Sequence, residues 1–352
     1  MTGLKAPTNS YHCVGVPQDG FFQLPCTTRP KAKFSGKNSY LNTWVSVTSC
    51  RNNATDDTSS GHRQPFLPAD ANVRDVSGLT LAVQRAEYAN IYFVMVSLYD
   101  AFQLMLTFNA HPKNVTLLIV DAHPSSGLDV LYDNLFARVV RAAHLPAPTR
   151  FAAMGWLPLT YNSPLRQMRS KHVLHLEEFR EFVLQGHGLG VGRSLNCSSL
   201  RLLFVWRRDY VAHPRNRAGV VGRKILNEEE LLTAVQEAMA LNGDRVEGHQ
   251  MDALPVREQL RKVSESDVLL GMHGAGLAHA LLLPRHGALV ELYPCSFPVR
   301  TSFRSIAAWR GLRYRTWRNK DPRLERPTTQ HTYIPPDAVV GLVRELRRQM
   351  CG

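Results

Sequence analysis

At 352 residues and 44% hydrophobic content the chain has material for two cores, since a single core stops growing near this length. Its 42 basic residues against 29 acidic ones give a formal charge of +13, but they are scattered among apolar segments without Lys/Arg tracts, which favours local anion sites and excludes a nucleic-acid-binding arm. No window approaches 18 uncharged apolar residues and the N-terminus has no apolar signal-like run, so a membrane is expected to enter only through an anchor absent from this chain.

Residues 1–75 are rich in Pro, Ser, Thr, Asn and Gly and hold Cys13, Cys26 and Cys50; they are expected to form an irregular extension with cysteines available for disulfides. The remaining cysteines, Cys197, Cys295 and Cys351, complete no Cys-x-x-Cys pair, which argues against a zinc cluster and leaves disulfides or buried thiols. Asn-x-Ser/Thr sequons beginning at Asn53, Asn114 and Asn196 suit a secretory-pathway protein.

From Leu79 to Phe108 apolar residues recur at helical spacing, predicting one long amphipathic helix. Val115 to Asp121 is a β-branched run ending in a carboxylate, the pattern of a buried parallel strand that delivers Asp121 to its C-terminal edge, where α/β folds keep their ligands; the alternative is a helix N-cap or turn residue. A helical stretch is expected over 127–143, a Pro-punctuated segment to about 164, and a helix around 177–184. The Gly-rich stretch from Gly186 reads as a linker.

A second α/β unit follows. It comprises a strand over 202–206, a basic loop from Arg207 to Lys224, helices over 228–241 and 256–264, and then Ser266 to Tyr293. This last stretch is the most informative: a short buried strand, three glycines in Gly271–Gly276, an apolar helix over 277–283 ended by Pro284, and a second strand. Backbone N–H groups and a helix dipole at such a loop suit a phosphate. The spacing Gly-x-x-Gly-x-Gly is neither the dinucleotide fingerprint nor a P-loop and is equally compatible with a structural turn, while a nicotinamide dehydrogenase fits poorly. His273, between the glycines, tips the reading towards an anion because it can donate a hydrogen bond to a diphosphate. A helix over 301–309, a strand over 313–317 and a terminal helix over 336–349 complete the chain. The expected domains are 76–185, 190–325 and a tail over 326–352, two parallel-sheet units facing a cleft.

The string Val205-Trp-Arg-Arg-Asp-Tyr-Val-Ala-His-Pro-Arg, then Gly222-Arg-Lys-Ile-Leu-Asn, then Gly271-Met-His-Gly-Ala-Gly-Leu-Ala-His resembles the glycosyltransferase family 61 domain. Together with Glu87-Tyr-Ala-Asn and Val120-Asp-Ala-His, these residues are most similar to the plant-type β-1,2-xylosyltransferase branch that acts on N-glycans, and more distantly to the branch that transfers O-GlcNAc to EGF domains. The resemblance implies two Rossmann-like domains in the GT-B arrangement and inverting transfer of a sugar from a UDP-sugar in the Golgi or endoplasmic reticulum lumen. The expected acceptor is an N-glycan or glycoprotein, with no part for nucleic acid.

Cleaving a sugar–UDP bond requires stabilisation of a diphosphate by metal or by fixed cations. The chain has no Asp-x-Asp motif but has Arg207, Arg208, Arg223 and Lys224, so a metal-independent site is expected, with no cofactor beyond the donor. Asn227, His273, Gly274, Ala275, Gly276 and Glu291 complete the expected donor site, Glu291 on the ribose hydroxyls. The alternatives are a solvated basic loop for the four cations and a surface carboxylate for Glu291. The xylosyltransferase branch carries a His and an Asp where this chain has Phe93 and Ser97. The base that takes the acceptor's proton is therefore open among Asp121, His123 and Asp100, and a binding module without turnover is the competing class.

Overall fold

The computed structural model describes residues 4–5, 16–17 and 74–352, apart from 122, 146–148, 159, 169–171 and 212–217. Cys13, Cys26, Cys50, the Asn53 sequon and nearly all of the expected extension lie outside the described residues. Two short strands, β1 (Leu4–Lys5) and β2 (Val16–Pro17), pair antiparallel. The chain divides into two compact units: Met1–Glu87, Leu104–Pro124 and Phe136–Tyr161 form one, and Tyr88–Gln103, Ser125–Leu135 and Asn162–Gly352 the other.

The first unit holds a four-stranded parallel sheet of β3 (Arg74–Val83), β4 (Val115–Ile119), β5 (Arg138–Arg141) and β6 (Thr149–Trp156), in the order β5-β4-β3-β6. The chain moves outward from β3 through β4 to β5 and then returns to the other side of β3, as in half of a doubly wound fold. Three expectations are corrected here. The single long helix from Leu79 is a strand followed by the helix Ile91–Thr107; the helix over 127–143 is one turn, Val130–Asp133, and then β5; and the Pro-punctuated segment contains β6.

The second unit carries a five-stranded parallel sheet of β7 (Arg201–Val205), β8 (Arg245–His249), β9 (Val268–Met272), β10 (Ala288–Tyr293) and β11 (Arg313–Arg318), ordered β11-β10-β9-β7-β8. Leu202, Phe204, Val268, Leu270, Val290 and Leu292 share a core with Leu231 and Val235 of helix Glu228–Ala240 and Val339 and Val343 of helix Pro336–Cys351. Alternation along each strand sends the intervening residues to the other face, among them Val205, Gly271 and Glu291. Three glutamates in the first turn of Glu228–Ala240 complement the helix dipole, and Pro336 sits at the first helical position of the last helix, where its missing N–H costs nothing.

Cys197 and Cys351 form a disulfide across 154 residues of sequence, tying the segment before β7 to the end of the last helix. Among the described residues Cys295 is the free cysteine. No helix among them is long and apolar enough to cross a membrane.

Candidate functional site

In the second sheet the chain runs β7 to β8 in one direction and then returns past β7 to lay down β9. The strand order therefore reverses between β7 and β9, and the C-terminal edge at such a reversal is where open α/β sheets bind ligands. The residues just beyond these two strand ends are Trp206 and Arg207 on one side and His273 and Gly274 on the other. The segment that follows, Ala275–Leu282, winds as a 3-10 helix where an α-helix was expected over 277–283. A Cβ on Gly276 would lie 2.8 Å from Cγ1 of Val205, so this turn packs directly against the end of β7.

Arg207 and Arg223 converge here. Arg207 is half-buried and donates from Nε to the carbonyl of Gly222 at 3.1 Å, and its guanidinium lies against the α-carbon of Gly274, where a Cβ would meet its Nη1 at 2.1 Å. Arg223 lies in a bend five residues before helix Glu228–Ala240, with φ at +61°, a left-handed conformation that a non-glycine residue adopts only under constraint. Its N–H donates to the carbonyl of Thr329, its guanidinium donates to the carbonyl of His273 at 2.7 Å, and the same guanidinium lies 4.4 Å from the ring centre of Phe297. Burial, and then the like charge of Arg207, push the Arg223 pKa down to about 10, against a smaller opposing effect of Tyr293. Two cations crowd one another where a bound anion would relieve both.

His273 completes the cluster. Its ring contacts Tyr293, Phe297 and Phe303 at centroid distances of 5.2, 5.2 and 5.3 Å, and its Nδ1 meets Oε1 of Glu291 at 2.5 Å. Glu291 is 0% exposed, and its other oxygen accepts from the Tyr314 hydroxyl at 2.6 Å. The expected contact of Glu291 with ribose hydroxyls is thereby corrected: a fully buried carboxylate engaged at both oxygens serves the imidazole.

The other cations are used locally. Arg208 pairs with Glu228, the first residue of helix Glu228–Ala240, at 2.6 Å, and Lys224 pairs with Asp209 of its own loop, so nearby acids neutralise both. Asn227 precedes helix Glu228–Ala240 and exchanges hydrogen bonds with the backbone of Ile334, its Oδ1 accepting at 3.0 Å and its Nδ2 donating at 2.9 Å. Arg208, Lys224 and Asn227 are thus not brought to Arg207, Arg223 and His273, whereas Gly274, Ala275 and Gly276 are.

The three candidates for the proton acceptor fall in different surroundings. Asp121, beyond β4 in the first unit, is enclosed by Arg85: the backbone N–H and Nε donate to Oδ2 at 2.9 and 3.1 Å, and Nη2 donates to Oδ1 at 2.8 Å. The N–H of His123 adds a donor at 3.0 Å, and both side chains of the ion pair are sealed from solvent. Asp121 therefore joins the ends of β3 and β4 and is not an open base. His123 is buried, and its carbonyl accepts from Arg85 at 3.1 Å and Arg141 at 2.8 Å. Asp100 lies in the second unit on helix Ile91–Thr107, with Oδ1 accepting from Ser163 at 2.7 Å and Oδ2 without a hydrogen-bond partner among the described residues. Burial pushes its pKa up to about 8, the Ser163 bond pulling weakly the other way.

Sequence reasoning missed Arg85, Phe297 and Tyr314. Arg85 follows a strand whose sequence reads as part of a helix, Phe297 sits in a loop without periodicity, and Tyr314 lies in a predicted strand whose partner across the sheet no local spacing gives.

The model of the family described as Glycosyltransferase 61 matches residues 86–290, more than half of the chain. The chain belongs to glycosyltransferase family 61. Within that family it is 26% identical to a β-1,2-xylosyltransferase of Arabidopsis thaliana over 308 residues, 77% of this chain and 55% of that protein. It is 34% identical to an EGF domain-specific O-linked N-acetylglucosamine transferase of Drosophila melanogaster over 163 residues, 46% of this chain and 28% of that one. The chain spans about half the length of the xylosyltransferases it matches. Among solved structures, the bacterial iron-containing dodecameric glycosyltransferase TibC of enterotoxigenic E. coli aligns over 82% of this chain and 81% of its own, with 11% identity and a TM-score of 0.39, too distant to carry an argument.

Proposed function

We propose that this chain is an inverting glycosyltransferase that moves a sugar from a UDP-sugar, with xylose to the core mannose of an N-glycan as the leading pair. The observation that carries the reading is the convergence of Arg207, Arg223 and His273 on the glycine loop at the reversal point of the second sheet. Fixed cations there would take up the charge that grows on a departing diphosphate, the task that a divalent metal performs in other transferases. We accordingly read the reaction as metal-independent. Inversion is a single displacement and needs one base for the acceptor hydroxyl; in this reading that base is Asp100, as buried as Asp121 but with one oxygen free of hydrogen bonds among the described residues, and the acceptor must reach it by opening its surroundings. The Cys197–Cys351 disulfide and the exposed Asn114 and Asn196 support residence in the secretory pathway, with the Golgi lumen as the specific proposal.

A second reading is transfer of GlcNAc to an extracellular protein domain. It is favoured by the 34% identity to the EGF domain-specific O-linked N-acetylglucosamine transferase of Drosophila melanogaster over 163 residues, whereas Phe93 and Ser97, where the xylosyltransferase branch carries His and Asp, favour a binding module without turnover. Radiolabelled UDP-xylose and UDP-GlcNAc, each offered with a trimannosyl glycopeptide and with a folded EGF domain, separate the two. Xylose on the glycopeptide is expected; GlcNAc on the EGF domain alone would transfer the assignment, and UDP binding without transfer to either would leave a binding module.

A further inference from the structure

Behind His273 stands a chain of hydrogen bonds that reaches the edge of the sheet. Glu291 on β10 pairs in register with Gly271 of β9 and Thr316 of β11, which sets its side chain between the end of β9 and the aromatic ring of Tyr314. Oε1 lies 2.5 Å from Nδ1 of His273 and Oε2 accepts from the Tyr314 hydroxyl at 2.6 Å, so a carboxylate here is an acceptor on both sides and holds the proton of the pair on Nδ1. A neutral imidazole has one N–H only. If Nδ1 holds it, Nε2 presents a lone pair, which repels an oxyanion; an imidazolium presents an N–H there instead.

Glu291 and a bound diphosphate favour the imidazolium, against the like charges of Arg207 and Arg223. Glu291 and Tyr293 face His273 from β10. Tyr314, with the charge of Arg304 near it, lies behind Glu291, and Arg207 and Arg223 approach from the segment after β7. Two guanidiniums and an imidazolium, less one carboxylate, leave two positive charges. A nucleotide-sugar diphosphate carries two negative ones. Contacts with Tyr293, Phe297 and Phe303 fix the plane of the ring, so a hydrogen bond from its edge is directional.

We propose that Glu291 and Tyr314 are positioning residues that hold His273 as a doubly protonated imidazolium whose Nε2–H is donated to the diphosphate oxygen that becomes the leaving group. As the sugar–oxygen bond breaks, its electron pair passes to that oxygen and the hydrogen bond from Nε2 tightens; the acceptor's proton goes to a separate base. The inference rests on the nucleotide-diphosphate reading of the site.

The test uses the whole chain with 15N-labelled histidine and UDP. In the UDP complex both ring nitrogens of His273 should show attached protons, the one on Nδ1 far downfield because of its short bond to the carboxylate. Glu291→Gln, which preserves shape and removes charge, should lose the Nε2 proton in the complex. Its kcat should fall about tenfold to a hundredfold with little change in KM, because the interaction strengthens in the transition state. Tyr314→Phe, at a half-exposed position and so tolerant of change, should shift the downfield resonance and lower kcat by roughly threefold to tenfold; it supplies the readout should Glu291→Gln fail to fold. UDP bound with Nε2 bare, or kcat unchanged in both variants, would overturn the inference alone. No UDP binding by the wild-type chain would overturn the reading of the site and this inference with it.

Discussion

Substituting Gly274 by alanine probes the diphosphate site without touching a charged residue. The added Cβ would sit 2.1 Å from Nη1 of Arg207 and 3.0 Å from its Cζ, contacts that no structure keeps. The backbone of Gly274 is extended, with φ at 173° and ψ at 169°, so alanine strains nothing locally, and the atom in its way is the tip of a flexible side chain. The guanidinium therefore moves and the fold stays. A charge-assisted contact to phosphate is worth on the order of 1.5–3 kcal/mol, so displacing Arg207 should weaken UDP binding by about one to two powers of ten. Titration calorimetry with UDP on Gly274→Ala, Arg207→Ala and the double variant completes a cycle. Because both changes remove the same contact, the double variant should bind about as weakly as either single one. Losses that add, or a Gly274→Ala chain that binds UDP as the wild type does, would refute the placement of Arg207 at the anion.

Arg223→Lys should recover only part of the affinity lost in Arg223→Ala, since an ammonium can neither fork onto phosphate nor stack on Phe297 as a guanidinium does; calorimetry reads both. Asp121→Ala should destabilise the chain by roughly 3–5 kcal/mol by removing the carboxylate that neutralises the buried Arg85, seen as a lower denaturation midpoint; an inactive variant of unchanged stability would return Asp121 to the catalytic candidates. Asp100, its carboxyl raised to about 8, binds a proton in the folded chain that the unfolded chain releases near pH 4. Its contribution to stability is thus fully present below about pH 4, declines as pH rises and is lost above about pH 8, and Asp100→Asn should flatten that slope in denaturant titrations. With Asp100 as the proposed base, turnover should rise across the same upper range, and a wild-type rate independent of pH between 6 and 9 would remove Asp100 from the mechanism.

The parts of the fold legible in the sequence are those buried on both faces. β4, β7, β9 and β10 appear as continuous apolar runs because each lies between two neighbours and under two layers. The strands that escaped notice include β5, β6 and β8, each at the edge of a sheet and each carrying exposed or half-buried residues; β8, Arg-Val-Glu-Gly-His, has a single aliphatic residue. β3 was hidden differently: its apolar end, Leu-Thr-Leu-Ala-Val, runs close to a helix whose period absorbed it. At the site, the glycines, His273 and Arg207 were visible as residue types that packing does not require. The division among the cations was not, because it is set by Asp209 and Glu228, partners 15 and 20 positions away that spacing cannot align. The pairing of His273 with Glu291 likewise depends on the register of β9 against β10, which no local pattern encodes.

The central claim is that groups of this chain, the cations Arg207 and Arg223 and the hydrogen-bond donor His273, do at the diphosphate what a metal would otherwise do. Transfer of sugar from UDP-xylose to a trimannosyl glycopeptide, measured before and after exhaustive treatment with EDTA, tests it most directly. Turnover should stay largely intact in EDTA and fall steeply in Arg223→Ala under the same conditions; activity abolished by EDTA and restored by manganese would contradict the account.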